Sequence, residues 1–113
     1  MPHNETQRML KKIQKSFIAD RVYYSGHARY EMEGEESGVI KDEEVFETVL
    51  TGKIIETYPE DEPYPSCLIY GKTSKNRPLH VVCGYVDEEN LSIIITVYQP
   101  LPERWIDFTR RKK

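Results

Sequence analysis

The sequence predicts an α+β domain in which N-terminal helices pack on one face of a four-stranded, twisted antiparallel sheet. Three observations predict it. Apolar residues recur at helical spacing only before Gly52. Beyond Gly52 the period changes to two, in segments rich in Ile, Val, Thr and Tyr. Those segments follow one another with no helix between them, the order of an antiparallel meander rather than of alternating helices and strands. With 113 residues the chain has room for one core, so a single domain over 1–113 is expected.

The first helix is assigned to residues 1–20, on the stripe Met9, Leu10, Ile13 and Phe17 with Arg and Lys opposite. Val22-Tyr23-Tyr24 reads as a short extended piece. Ser25 is placed as the N-cap of a second helix ending near Met32, because its hydroxyl can accept from the free N–H groups of the first turn. Gly34 to Gly38 breaks that helix. Asp42–Leu50 forms the third, with Val45, Phe46, Val49 and Leu50 on one stripe and Gly52 as its stop. Strands are expected over Lys53–Tyr58, Cys67–Lys72, Leu79–Val86 and Leu91–Tyr98, with a long loop at Pro59–Pro65 and a polar turn at Thr73–Pro78. Residues 105–113 are read as a basic C-terminal tail anchored by Trp105.

Charged residues make up 31% and hydrophobic residues 38%, so the core is thin and the eight tyrosines must supply much of the buried area. The apolar runs fall far short of the roughly 20 residues of a membrane span, and no signal pattern opens the chain, so a cytoplasmic protein is expected. Cys67 and Cys83 lie in strand-like runs without metal-ligand spacing and are expected as buried free thiols. No cofactor motif and no metal site is expected. The net charge of −3 is unevenly spread. Glu31 to Glu62 holds twelve acidic residues against Lys41 and Lys53, whereas Pro63 to Val86 holds Lys72, Lys75 and Arg77 and no acid, and the chain ends in four basic residues. Such asymmetry turns one face toward phosphates and leaves the other for a basic partner.

The turn Asp87-Glu88-Glu89-Asn90 sets the register of the last hairpin. Asp suits the first position of a type I turn, and Asn tolerates the left-handed conformation of a following bulge. Pairing Asp87 with Leu91 then places Tyr85 opposite Ile93, Cys83 opposite Ile95 and Val81 opposite Val97 on an apolar face. On the other face, Val86 meets Ser92, Gly84 meets Ile94, Val82 meets Thr96 and His80 meets Tyr98. A four-residue loop pairing Val86 with Leu91 would mix polar and apolar residues on both faces.

The order Ser25-x-His27-Ala28, then Arg77-Pro-Leu-His-Val-Val82, then Ile94 to Pro100 and Pro102 to Trp105 before Arg110 and Arg111 resembles a prokaryotic family of unknown-function domains grouped with RelE-like and BrnT-like toxins. The likeness runs from about Tyr24 to Lys112. It implies helices on a small twisted antiparallel sheet, as in microbial ribonucleases, and a toxin-type endoribonuclease acting on mRNA, with ribosome-associated mRNA among the expected partners. It also implies neutralisation by an antitoxin carrying a zinc finger and a helix-turn-helix. The family helix usually reads H-A-x-x-R-M, whereas Glu31 occupies the Arg position here.

RNA cleavage through the 2′-OH needs a base, an acid for the leaving oxygen and cations on the phosphate. Histidine is the side-chain type suited to proton transfer near neutrality, which points to His27 and His80; Tyr98 can donate a proton, while Glu31, one turn after His27, can orient its ring. The candidate catalytic residues are therefore His27, His80, Tyr98 and Glu31, and the candidate nucleic-acid contacts are Arg77, Lys72, Arg29, Arg104, Arg110 and Arg111. Two readings of His80 stand side by side: a titrating catalyst, or a satisfied histidine hydrogen-bonded to Tyr98. A non-catalytic RNA- or protein-binding domain of the same fold is the alternative function.

Overall fold

A computed structural model describes residues 2–113 of the chain, with side chains from Glu5 onward. Three helices, α1 (Pro2–Ile18), α2 (Gly26–Gly34) and α3 (Asp42–Thr51), precede the main strands, as the helical spacing predicted. Ile13 and Phe17 of α1 are buried, with Met9 and Leu10 packed beside them. Ser25 caps α2, its Oγ accepting from the Ala28 N–H at 3.0 Å. On α3 the inward stripe is Val45, Thr48 and Val49, and Phe46 stays exposed at its margin. The α3 C-terminus lies so close to the sheet that a Cβ on Gly52 or Gly71 would collide with the Thr48 carbonyl. No helix among the described residues is long and apolar enough to cross a membrane.

The four expected strands are present as β2 (Lys53–Tyr58), β3 (Ser66–Lys72), β4 (Pro78–Val86) and β5 (Leu91–Tyr98). The sheet, however, has five strands rather than four, in the order β1-β5-β4-β3-β2. The extended piece Val22–Tyr24 is β1, and it pairs parallel to β5. Three residues carry too little pattern to signal a strand, and a parallel edge needs no turn to announce it.

The β4–β5 register differs from expectation near the turn and agrees beyond it. Val86 pairs with Leu91, the loop that segregation disfavoured, and the chain turns through a 3₁₀ segment at Asp87–Glu89 closed by Asn90 in the left-handed conformation. A bulge at Ile95 absorbs the one-residue shift, so Val82 meets Thr96 and His80 meets Tyr98 as predicted. The bulge resolves the mixing problem: Ser92 and Ile94 point inward before it and Val97 after it. Cys67 and Cys83 are free, buried and directly cross-strand, and burial pushes the Cys83 thiol up to about 12.

The helices cover one face of the sheet, over a core that includes Ile13, Ala28, Met32, Val49, Val81 and Val97. Part of the other face is covered as well. Residues expected to form a loose basic tail fold instead into an antiparallel ribbon, β6 (Trp105–Ile106) with β7 (Arg110–Arg111). Its turn holds Asp107 and Phe108 at positive φ and is closed by the Thr109 N–H on the Ile106 carbonyl at 3.0 Å.

Candidate functional site

Pairing across three strands aligns Tyr70, His80 and Tyr98 in one row on the ribbon-covered face. The ribbon closes over the middle of this row. The Trp105 ring meets the His80 ring edge-on at 4.4 Å between centroids, and the Phe108 ring lies 6.2 Å from Tyr70. His80 is 0% exposed. Its Nε2 lies 2.6 Å from the Phe108 carbonyl and its Nδ1 3.0 Å from the Tyr98 hydroxyl. A carbonyl can only accept, so Nε2 carries the hydrogen, and in the neutral ring Nδ1 must then accept from Tyr98. Burial lowers the His80 pKa, against a smaller upward pull from the Phe108 carbonyl and from Glu56, so the neutral tautomer is favoured. Burial likewise raises the Tyr98 hydroxyl, which is thus held as a donor.

Arg111 fastens the ribbon from above. Its guanidinium donates to both Glu56 oxygens at 2.8 and 3.0 Å and sits 4.8 Å over the Trp105 ring. Tyr58 donates to the same carboxylate at 2.6 Å, and these bonds hold the Glu56 carboxyl below its usual range, Arg111 first. Phe108, Tyr70 and Glu56 belong to this cluster and were not singled out from the sequence. The available signal was an aromatic pair three residues apart, Trp105 and Phe108, inside an otherwise basic stretch.

His27 and Glu31 lie on α2 and do not join His80. The His27 side chain is 64% exposed, with Nε2 3.4 Å from Glu31. Glu31 has a second task. Because β1 ends at Tyr24, no strand among the described residues flanks this edge of β5 beyond Ile95. Side chains from α2 take its place: Ser25 Oγ donates to the Ile95 carbonyl, Glu31 accepts from the Val97 N–H at 3.2 Å, and Glu35 accepts from the Gln99 N–H at 2.9 Å. An arginine at position 31 has no acceptor for the Val97 N–H, which gives Glu31 a structural reason of its own. Tyr98 and Glu31 do line a common groove, but its other walls bring Glu33, Glu35 and Glu36, and four carboxylates repel a phosphodiester.

The candidate cations separate in the same way. Arg77 is only 16% exposed, and all five of its N–H groups have partners: Nε on Gln99, Nη1 on Val39 O and Glu44, Nη2 on Ser37 Oγ and Gly38 O. It locks the loop after α2 to α3 and β5. Arg29 pairs with Asp42 and stacks on Tyr24 at 4.0 Å. Lys72 is exposed at the end of β3. Arg104, Arg110 and Arg111 are all carried by the ribbon or its approach; Arg104, Arg111, Lys112 and Lys113 line a groove of about 660 Å³ beside Tyr98 and Trp105, facing the carboxylates of Glu35, Glu36 and Glu103 across it, while Arg110 lies outside that groove.

No curated protein and no solved structure is found to match the chain. A family model does match, over residues 24–99, from the last residue of β1 to the residue after β5, leaving α1 and the ribbon outside. Since that span holds α2, α3 and the four antiparallel strands, more than half of the chain, the protein belongs to the DUF4258 family, a domain of unknown function.

Proposed function

We propose that the chain is a non-catalytic RNA-binding module whose contact surface is the C-terminal ribbon. One observation carries the reading: His80 is fully buried with both ring nitrogens already occupied, so no proton acceptor is free there for a 2′-OH. The ribbon whose aromatic rings cover it also carries the cations. Residues 103–113 hold five basic side chains against Glu103 and Asp107, four of the five face the groove that Glu35, Glu36 and Glu103 also line, and Arg104 and Arg110 make no side-chain hydrogen bond among the described residues. Basic side chains beside aromatic edges suit a single-stranded phosphate backbone.

The toxin-type endoribonuclease of the RelE/BrnT kind, with its antitoxin, is the second reading. What favours it is the exposed His27 held by Glu31, a histidine–carboxylate pair oriented by the Val97 N–H.

A fluorescent single-stranded RNA, incubated with the protein and followed by anisotropy and by gel, separates the two. The module binds with an affinity that falls steeply with salt, leaves the RNA intact, and weakens on Arg104→Glu or Arg110→Glu. Cleavage that disappears in a folded His27→Ala variant overturns this in favour of the endoribonuclease, and absence of binding at low salt removes the RNA-binding reading itself.

A further inference from the structure

On the far side of the molecule from the ribbon's row, the short strand β1 leaves an edge open. The Arg21 carbonyl accepts from the Ser92 N–H at 3.1 Å, and the Ser25 N–H donates to the Ile94 carbonyl at 3.0 Å. In a parallel ladder of this register, residues 21, 23 and 25 turn their backbone groups toward β5. The N–H and C=O groups of Val22 and Tyr24 therefore face outward, and no partner among the described residues takes them.

These groups border a groove of about 660 Å³. Its floor is apolar, made by Phe17, Val22, Tyr24 and the exposed Phe46. Its rim is acidic, with Asp20, Asp42, Glu43 and Glu47, and its one cation, Arg29, is already bound to Asp42. Tyr23, 60% exposed, stands on the opposite face of the same strand.

We propose that this edge and groove dock an extended basic segment of a partner protein by strand addition to β1. The backbone of the added strand would pair with Val22 and Tyr24. Its alternate apolar side chains would enter the groove, and its lysines or arginines would meet the acidic rim. Charge selects the occupant. A second copy presenting its own β1 would bring two acidic rims together, which opposes self-pairing, and an RNA phosphate is repelled by the same carboxylates. The site is independent of the ribbon and of RNA binding.

The probe is a seven-residue peptide alternating lysine and valine, titrated into the full-length ¹⁵N-labelled protein. Saturable shifts centred on the Val22 and Tyr24 amides are expected, with little response at Trp105. A peptide with glutamate for lysine is expected not to bind. The double change Asp20→Asn and Glu43→Lys, at two exposed residues with no side-chain partner among those described, weakens the lysine peptide about fivefold while leaving the fold intact. Val22→Pro, which removes an outward N–H and no bond to β5, weakens it further. Shifts confined to other surfaces, equal binding of the glutamate peptide, or a mass that doubles with concentration while β1 is occupied by a second copy would each overturn the proposal.

Discussion

Replacing His80 by alanine removes the ring that joins the ribbon to the sheet. The side chain is fully buried and touches Tyr70, Tyr98 and Trp105. Deleting a ring of this size from a core costs about 3 kcal/mol. The Phe108 carbonyl also loses its donor and the Tyr98 hydroxyl its acceptor, which adds about 1 kcal/mol where water can partly reach the gap. A total near 4 kcal/mol lowers the melting temperature of a domain this size by about 15 °C. His80→Phe restores the volume and leaves only the unpaired polar groups, so its cost falls to about 2 kcal/mol. Urea unfolding measures both, and the single tryptophan, Trp105, lies in the ribbon and reports its seating by fluorescence. A loss below about 1 kcal/mol in His80→Ala, with unchanged Trp105 emission, would refute the ribbon's dependence on His80.

Stability should also fall with acidification in the window set by the same ring. Its pKa is lowered on folding, so the unfolded chain binds the proton more readily, and stability drops as pH falls below about 6.5 toward the folded value, with a slope of at most about 1.4 kcal/mol per pH unit; denaturant titrations from pH 7.5 to 5 check this, and His80→Phe should flatten that part of the curve. Arg77→Ala strands Glu44, Gln99 and two carbonyls at a largely buried hub and is expected to cost about 3 kcal/mol by thermal melting, with Arg77→Lys recovering only part. Glu31→Ala frees the Val97 amide, so its hydrogen exchange should quicken selectively, whereas His27→Ala, at an exposed position, should change stability by less than about 0.5 kcal/mol.

Much of the fold was legible because strong local patterns coincide with it. The stripes Ile13/Phe17 and Val45/Val49 marked helices that do bury those residues, and Ser25 and Asn90 held the cap and the left-handed turn their chemistry suggested. The His80–Tyr98 pairing was counted back from a turn that closes differently in the structure, and it holds because the bulge at Ile95 shifts the register by one residue before that point. What was not legible depends on long-range partners. Val22–Tyr24 becomes a strand only because β5 offers an edge, and Trp105–Arg111 becomes a ribbon only because His80, Tyr70 and Glu56 wait beneath it. For the candidate site, residue types showed which side chains are capable of acid–base chemistry but not which were already committed. Arg77 looked like a phosphate ligand and is fully occupied, and Glu31 looked like a lost cation and in fact closes the β5 edge.

Whether His80 is a sealed neutral tie or a titrating group at a surface is read from the ¹⁵N chemical shifts of its imidazole across pH. A neutral ring protonated at Nε2 is expected, with Nδ1 accepting from Tyr98 and titration displaced below 6.5. A ring that titrates near its ordinary value and exchanges tautomers as in water would contradict it.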